Sequence, residues 1–69
     1  MFYKFFIGPA IIKCDKTQYE MYEVNEHTFR WLNLYSNGVQ IGNIALDECT
    51  KIKYNKETSS KRVKEYFVD

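Results

Sequence analysis

The sequence predicts an all-β protein: a small single-domain barrel, or a strongly curved antiparallel sheet, of five to seven short strands over residues 1–69. Three observations carry this. Runs of aromatic and β-branched residues recur at short intervals, tight-turn signals separate them, and six Tyr, five Phe and one Trp supply the large side chains that sheets bury. At 8.3 kDa the chain has room for one domain. Its apolar content excludes collagen-like, low-complexity and disordered classes. A formal charge of +1 excludes a polyanion binder defined by net charge alone.

Phe2-Tyr3-Lys4-Phe5-Phe6-Ile7 and Ala10-Ile11-Ile12-Lys13-Cys14 read as strands on either side of Gly8-Pro9. Pro9 has no amide hydrogen, so the chain bends there, bulges, or lies at an edge. Asp15-Lys16-Thr17 is expected to turn. In Gln18–Val24, Tyr19 and Met21 share one face while Tyr22 and Val24 share the other, and that change of parity predicts a bulge between Glu20 and Tyr22. Asn25-Glu26 then closes a hairpin.

Ser36-Asn37-Gly38-Val39 is the clearest local signal. Asn-Gly is the preferred pair of a type I′ turn, whose central residues both need positive φ. A two-residue loop sets Phe29 opposite Leu46, Trp31 opposite Ile44 and Asn33 opposite Gly42, with Leu34–Ile41 and Leu32–Asn43 on the other face. Such aromatic and branched pairs contribute roughly 0.2–1 kcal/mol each. Gly42 opposite Asn33 leaves space for a barrel to bend sharply.

Asp47-Glu48-Cys49-Thr50 reads as a turn, Lys51-Ile52-Lys53-Tyr54 as an alternating strand and Asn55–Ser60 as a polar loop. Lys61–Val68 fits two patterns: Val63 and Phe67 suit a helical stripe, and Val63, Glu65 and Phe67 suit one face of a strand. Neither Ser59 nor Ser60 has a Glu or Gln three residues on to complete a capping box, so a strand is preferred to a short helix.

A chain of this size buries only about 60% of its unfolded surface, so the aromatic core is expected to be helped by self-association. Both faces of the central hairpin carry large apolar groups; one fills the interior and the other needs a second cover, which points to a homodimer or a partner surface. Cys14 and Cys49 are read as free, small, buried side chains in a cytoplasmic protein. Phe5–Ile12 imitates the apolar part of a signal segment but no cleavage site follows, and it is too short to cross a bilayer.

Catalytic constellations are thin. His27 stands alone at a strand start, and no spacing brings it to Cys14 or Cys49 with an orienting group behind it. The cysteines and His27 lack metal-ligand spacing, and no cofactor is implied. Asp47 and Glu48 are adjacent and point apart, and no phosphate-cradling glycine loop exists. A third class, a small-ligand binder or enzyme with a cavity between sheets, needs a pocket of about 300 Å³.

Charge is segregated. Residues 15–48 carry two cations and six anions, and residues 51–64 carry six cations and one anion. Tyr54 with Lys56, Lys61, Arg62 and Lys64 forms a basic, aromatic C-terminal hairpin able to track phosphates and stack a base. Lys51 and Lys53 also suit a solvated edge strand, where lysine discourages aggregation. The acidic middle favours a protein target, or head-to-tail pairing of two copies. Trp31, opposite Ile44, is read as core, and the six tyrosines, Tyr35 among them, are too many to bury, leaving some as contact material.

Asn37-Gly38-Val39-Gln40-Ile41 with Gly42, Ile44 and Asp47, followed by Lys51–Tyr54, resembles the strand–turn–strand centre of Sm-like RNA-binding proteins over residues 32–54, and implies RNA binding as an alternative function. The chain begins with strands where that family has a helix, and no site residue is carried over. The leading expectation is a non-enzymatic protein-binding module, dimeric, acting as an accessory or inhibitor protein of the kind mobile elements and phages encode, by occupying a surface of a larger target. The alternative is a small-barrel protein binding RNA or single-stranded nucleic acid through the basic C-terminal hairpin.

Overall fold

Alternation and turn chemistry resolve into seven strands and no helix in the computed structural model, which describes residues 1–69. They are β1 (Phe2–Ile7), β2 (Ala10–Cys14), β3 (Lys16–Val24), β4 (His27–Ser36), β5 (Val39–Ala45), β6 (Ile52–Tyr54) and β7 (Val63–Val68). They form a four-stranded sheet in the order β2-β1-β7-β6 and a three-stranded sheet in the order β3-β4-β5, with no closed barrel.

Three two-residue turns set the hairpins. Gly8 takes φ 55° ahead of Pro9, whose ring holds φ negative, so β1 and β2 are joined tightly with Ile7 paired to Ala10. Asn37 and Gly38 sit at φ 53° and 79°, the two positive values a type I′ turn requires. Asn25 and Glu26 make the same turn at φ 49° and 66°, without the help of a glycine.

Four register expectations are corrected. The turn at Asp15-Lys16-Thr17 shrinks to Asp15 alone, because Lys16 already pairs with Tyr35. β3 has no bulge: its register against β4 runs unbroken from Lys16↔Tyr35 to Val24↔His27. Parity is free to change along β3 because most of it lies in solvent on both faces. The bulge falls in β5 instead, between Leu34 and Tyr35 of its partner, so Leu34 meets Gly42, Leu32 meets Ile44, Asn33 meets Asn43 and Trp31 meets Ala45. The extra residue, Ile41, turns Ile44 onto the face of Leu32 and Leu34, where the core needs it. Finally, the C-terminal segment is a strand but runs parallel to β1, pairing Phe5 with Tyr66 and Ile7 with Val68, so the assembly is not wholly antiparallel.

Ser59 and Ser60 cap no helix. The Ser60 hydroxyl accepts from the Arg62 and Val63 N–H groups and the Ser59 hydroxyl from Glu65 N–H at 2.9 Å, which steers the chain into β7. Asp15 does two jobs at the other corner. It alone links β2 to β3 across the sheets, and its carboxylate accepts from Asn37 N–H at 2.9 Å, holding the β4–β5 turn to the junction.

The sheets meet chiefly near that corner, where β2 lies against β4. Phe5, Cys14, Leu34, Ile44 and Val68 are the whole buried apolar core, with Tyr3, Ile7, Ile12, Leu32, Leu46 and Tyr66 packed around it. Burial pushes the Cys14 thiol above its ordinary pKa. Cys49 is exposed, against expectation, because it sits in the Asp47–Thr50 turn outside both sheets. Trp31 is not core either: the bulge moves its partner to Ala45, and its ring lies on the outer face against Tyr22, centroids 5.2 Å apart. The one buried polar residue, Asn33, lies between Gln18 and Asn43 across the outer face of the three-stranded sheet, and its Oδ1 accepts from Gln40 Nε2 at 3.2 Å.

Candidate functional site

Small overlap leaves large surfaces without cover. The chain exposes 5525 Å², whereas a compact monomer of 8.3 kDa exposes roughly 4,600 Å². Its radius of gyration is 12.8 Å against about 11 Å for a compact chain of this length, and it extends 41 × 27 × 21 Å. Thirteen large apolar side chains are exposed, more than twice the number buried in the core. Eight of them gather in two places.

The first is the outer face of the four-stranded sheet. Strand alternation puts Tyr3, Phe5 and Ile7 inward and therefore Phe2, Lys4 and Phe6 outward. The registers align Ile11, Phe6, Phe67 and Lys53 in one row across β2, β1, β7 and β6. Lys13, Lys4 and Glu65 make the row beside it. The Phe6 and Phe67 rings pack at 5.4 Å between centroids, and Phe2, Ile11 and Phe67 are exposed. The result is an apolar strip edged by Lys4, Lys13 and Lys53.

The second is the far end of the β3–β4 hairpin. Nine residues of β3 carry the chain roughly 27 Å past the corner, beyond the reach of the other sheet. Tyr19, Met21, Tyr22, Val24 and Phe29 are each 51–54% exposed there. The unbroken register puts Tyr22, Val24 and Phe29 with Glu20 on one face of the arm and Tyr19, Met21 and Arg30 with Glu23 on the other, with Glu26 in the turn between the strands. The Tyr22 hydroxyl donates to Glu20 at 3.2 Å, and that carboxylate raises the pKa of Tyr22.

The site residues expected from sequence are partly brought together. Lys64 Nζ stands 5.7 Å from the centre of the Tyr54 ring, which itself packs on Tyr66 at 5.4 Å. Lys56 lines a groove of about 450 Å³ with Lys53, Tyr54, Asn55, Glu57 and Phe67. Lys61 and Arg62 lie exposed in the segment that enters β7. Tyr35 belongs to the other sheet, under Lys16 Nζ at 5.8 Å, and is not part of that group. Sequence reasoning missed Phe2, Phe6, Ile11 and Phe67. Alternation in Phe2–Ile7 separates the faces, but both are apolar, and only the parallel pairing with β7 reveals which is covered.

A second groove, of about 630 Å³, is lined by Tyr19, Met21, Glu26, His27, Thr28, Phe29, Arg30 and Glu48. Both grooves exceed the volume a small ligand needs, yet each is lined by residues of one sheet and its adjoining turns. Neither is a cavity between the sheets. No group of three or more His, Cys, Asp or Glu converges on a point. Asp47, whose carboxylate accepts from the Thr50 hydroxyl at 2.9 Å and from the Cys49 and Thr50 N–H groups, is spent on its own turn; these bonds hold its pKa below the usual carboxylate value. No protein-family model matches the chain, and no curated protein or solved structure matches it significantly.

Proposed function

We propose that this chain is a non-enzymatic protein-binding module that works by covering a surface of a larger protein, in the manner of an accessory or inhibitor protein. One observation carries the reading: the Ile11–Phe6–Phe67 strip is solvent-facing, aromatic and edged by lysines. Exposed contiguous apolar surface with a polar rim is the signature of an interaction face, and aromatic anchors dominate the energetics of such faces. Its lysine rim selects a partner whose matching surface is apolar at the centre and acidic at the edge.

Affinity capture from host lysate, with and without nuclease, using wild-type protein and the Phe67→Asp variant, tests it. The expected result is a defined protein that survives nuclease and is lost with Phe67→Asp. Retention by the variant, or disappearance of every captured species after nuclease, overturns the reading.

A second reading, binding of single-stranded nucleic acid, is favoured by the pairing of Lys64 with Tyr54 in the basic layer. It ranks below the first because Tyr54 already packs on Tyr66, and Phe6 on Phe67, which leaves less free ring face for bases. Steep salt dependence and loss of binding on charge reversal at Lys61, Arg62 and Lys64 are its tests.

A further inference from the structure

The two uncovered regions match each other. The strip on the four-stranded sheet is apolar with three lysines and one carboxylate, Glu65, around it; the β3–β4 tip carries apolar side chains on both faces, with Glu20 beside Tyr22 and Phe29 on one, Glu23 and Arg30 beside Met21 on the other, and Glu26 in the turn. The same opposition holds at larger scale. Residues 1–14 and 51–69, which build the four-stranded sheet, carry eight cations and three anions, and residues 15–50 carry two cations and six anions.

We infer that a second copy of this chain occupies the strip: the acidic β3–β4 tip of each copy docks on the lysine-edged strip of the other, giving a two-fold dimer with two equivalent contacts. This goes beyond the proposed function, since it names a second copy as an occupant that competes with the larger protein for the same face, and it rests on that face being an interaction surface.

Three considerations select a copy of the chain over an unrelated protein. Charge is complementary between the patches, and like patches repel, so face-to-face pairing of two strips or two tips is disfavoured. The surface in excess of a compact monomer is about 900 Å², close to the roughly 800 Å² per partner that a standard stable interface buries. Reciprocal exchange also engages one face of the tip and the strip of both copies at once, which closes the assembly and leaves no open end to propagate.

The tip turn adds a local sign of the same logic. Glu26 occupies φ 66°, a left-handed conformation that strains a non-glycine residue and where glycine would rest without strain. A carboxylate there completes the acidic rim.

Sedimentation equilibrium on four proteins tests the inference: wild type, a tip variant (Glu20→Lys, Glu23→Lys, Glu26→Lys), a strip variant (Lys4→Glu, Lys13→Glu, Lys53→Glu), and the chain carrying both sets. Wild type is expected to be a dimer that weakens with added salt. Each single-side variant weakens it by about tenfold or more, and the combined variant restores it, because the signs match again. Circular dichroism confirms that each variant folds, and Phe29→Ala, which leaves every charge in place and removes apolar contact at the tip, serves as an independent weakening variant. A monomeric wild type, a dimer indifferent to both charge sets and to Phe29→Ala, a folded combined variant that stays dissociated, or a species larger than a dimer each overturn the inference. A monomer that still captures a target through Phe67 leaves the proposed function standing, whereas an intact charge-swapped dimer with no Phe67-dependent target removes the proposed function alone.

Discussion

The two ends of the β3–β4 hairpin share one unbroken ladder and differ in almost everything else. At the base, Leu34 is fully buried against Phe5 and Cys14 of the other sheet, and Asn33 is closed in by its neighbours. At the tip, Phe29 and Met21 belong to the same strands and the same register yet stand half exposed. Hydrogen bonds are equally regular at both ends, so pairing does not decide which residues become core. The second layer decides it, and in this chain that layer ends partway along the hairpin. A marginal monomer with one small corner core and a long uncovered arm is the consequence.

The contrast is broken most directly by truncating one residue at each end. Leu34→Ala removes a fully buried side chain and is expected to cost about 3–5 kcal/mol in urea unfolding, enough to unfold much of the population. Phe29→Ala, measured at concentrations where the chain is monomeric, is expected within about 0.5 kcal/mol of wild type. Equal costs would show that the tip is as packed as the base.

Asn33→Ala sharpens the base further. It removes a buried, hydrogen-bonded amide, and a loss of about 1–2 kcal/mol is expected, against almost none for the neighbouring Gln18→Ala.

The two type I′ turns behave oppositely to substitution. Gly38→Ala places a β-carbon at φ 79° and is expected to lower stability by about 1 kcal/mol, while Glu26→Gly relieves φ 66° and is expected to raise it by about 0.5 kcal/mol in thermal melts of the monomer. The same Glu26→Gly change removes one rim carboxylate, so it is expected to weaken the dimer while strengthening the fold.

Thiol labelling of the native protein separates the layers without mutation. Cys49 is expected to react rapidly and Cys14 only after unfolding, since the first is exposed and the second is buried with a raised pKa.

The smallest effect belongs to pH. Asp47 has a depressed pKa in the fold, so its contribution is present above the ordinary carboxylate value near 3.8 and is lost as pH falls through the lower folded value. Asp47→Asn is expected to flatten the acid limb of the stability profile slightly; a steeper limb in the variant contradicts the assignment.

Most strands were legible because their signals are local. Alternation and turn chemistry place β1, β2, β5, β6 and the Asn25-Glu26 and Asn37-Gly38 turns close to their observed positions, Asn37-Gly38 is read correctly to its φ signs, and Gly8-Pro9, open between bend, bulge and edge, proves to be a two-residue hairpin turn. What was not legible depended on partners distant in sequence. The bulge at Ile41 follows from the need to aim Ile44 at Phe5 and Leu34, which no reading of the hairpin alone contains. The displacement of Trp31 from the core follows from that bulge. The parallel pairing of β7 with β1 joins the two termini, and it creates the Ile11–Phe6–Phe67 strip. The basic segment Lys51–Lys64 was visible as a charge run, but its apolar complement on β1 and β2 was hidden, because Phe2–Ile7 is apolar on both faces.

The hairpin tip stands uncovered in the monomer and, in the proposed dimer, lies against a second copy. Amide hydrogen exchange, followed residue by residue at low and high protein concentration, tests it most directly. Amides of Phe5, Leu34 and Ile44 are expected to be protected at both concentrations, while those of Met21, Tyr22 and Phe29 exchange rapidly in dilute solution and become protected as concentration rises. Tip amides as protected as those of the core in dilute solution, or unprotected at every concentration, would contradict it.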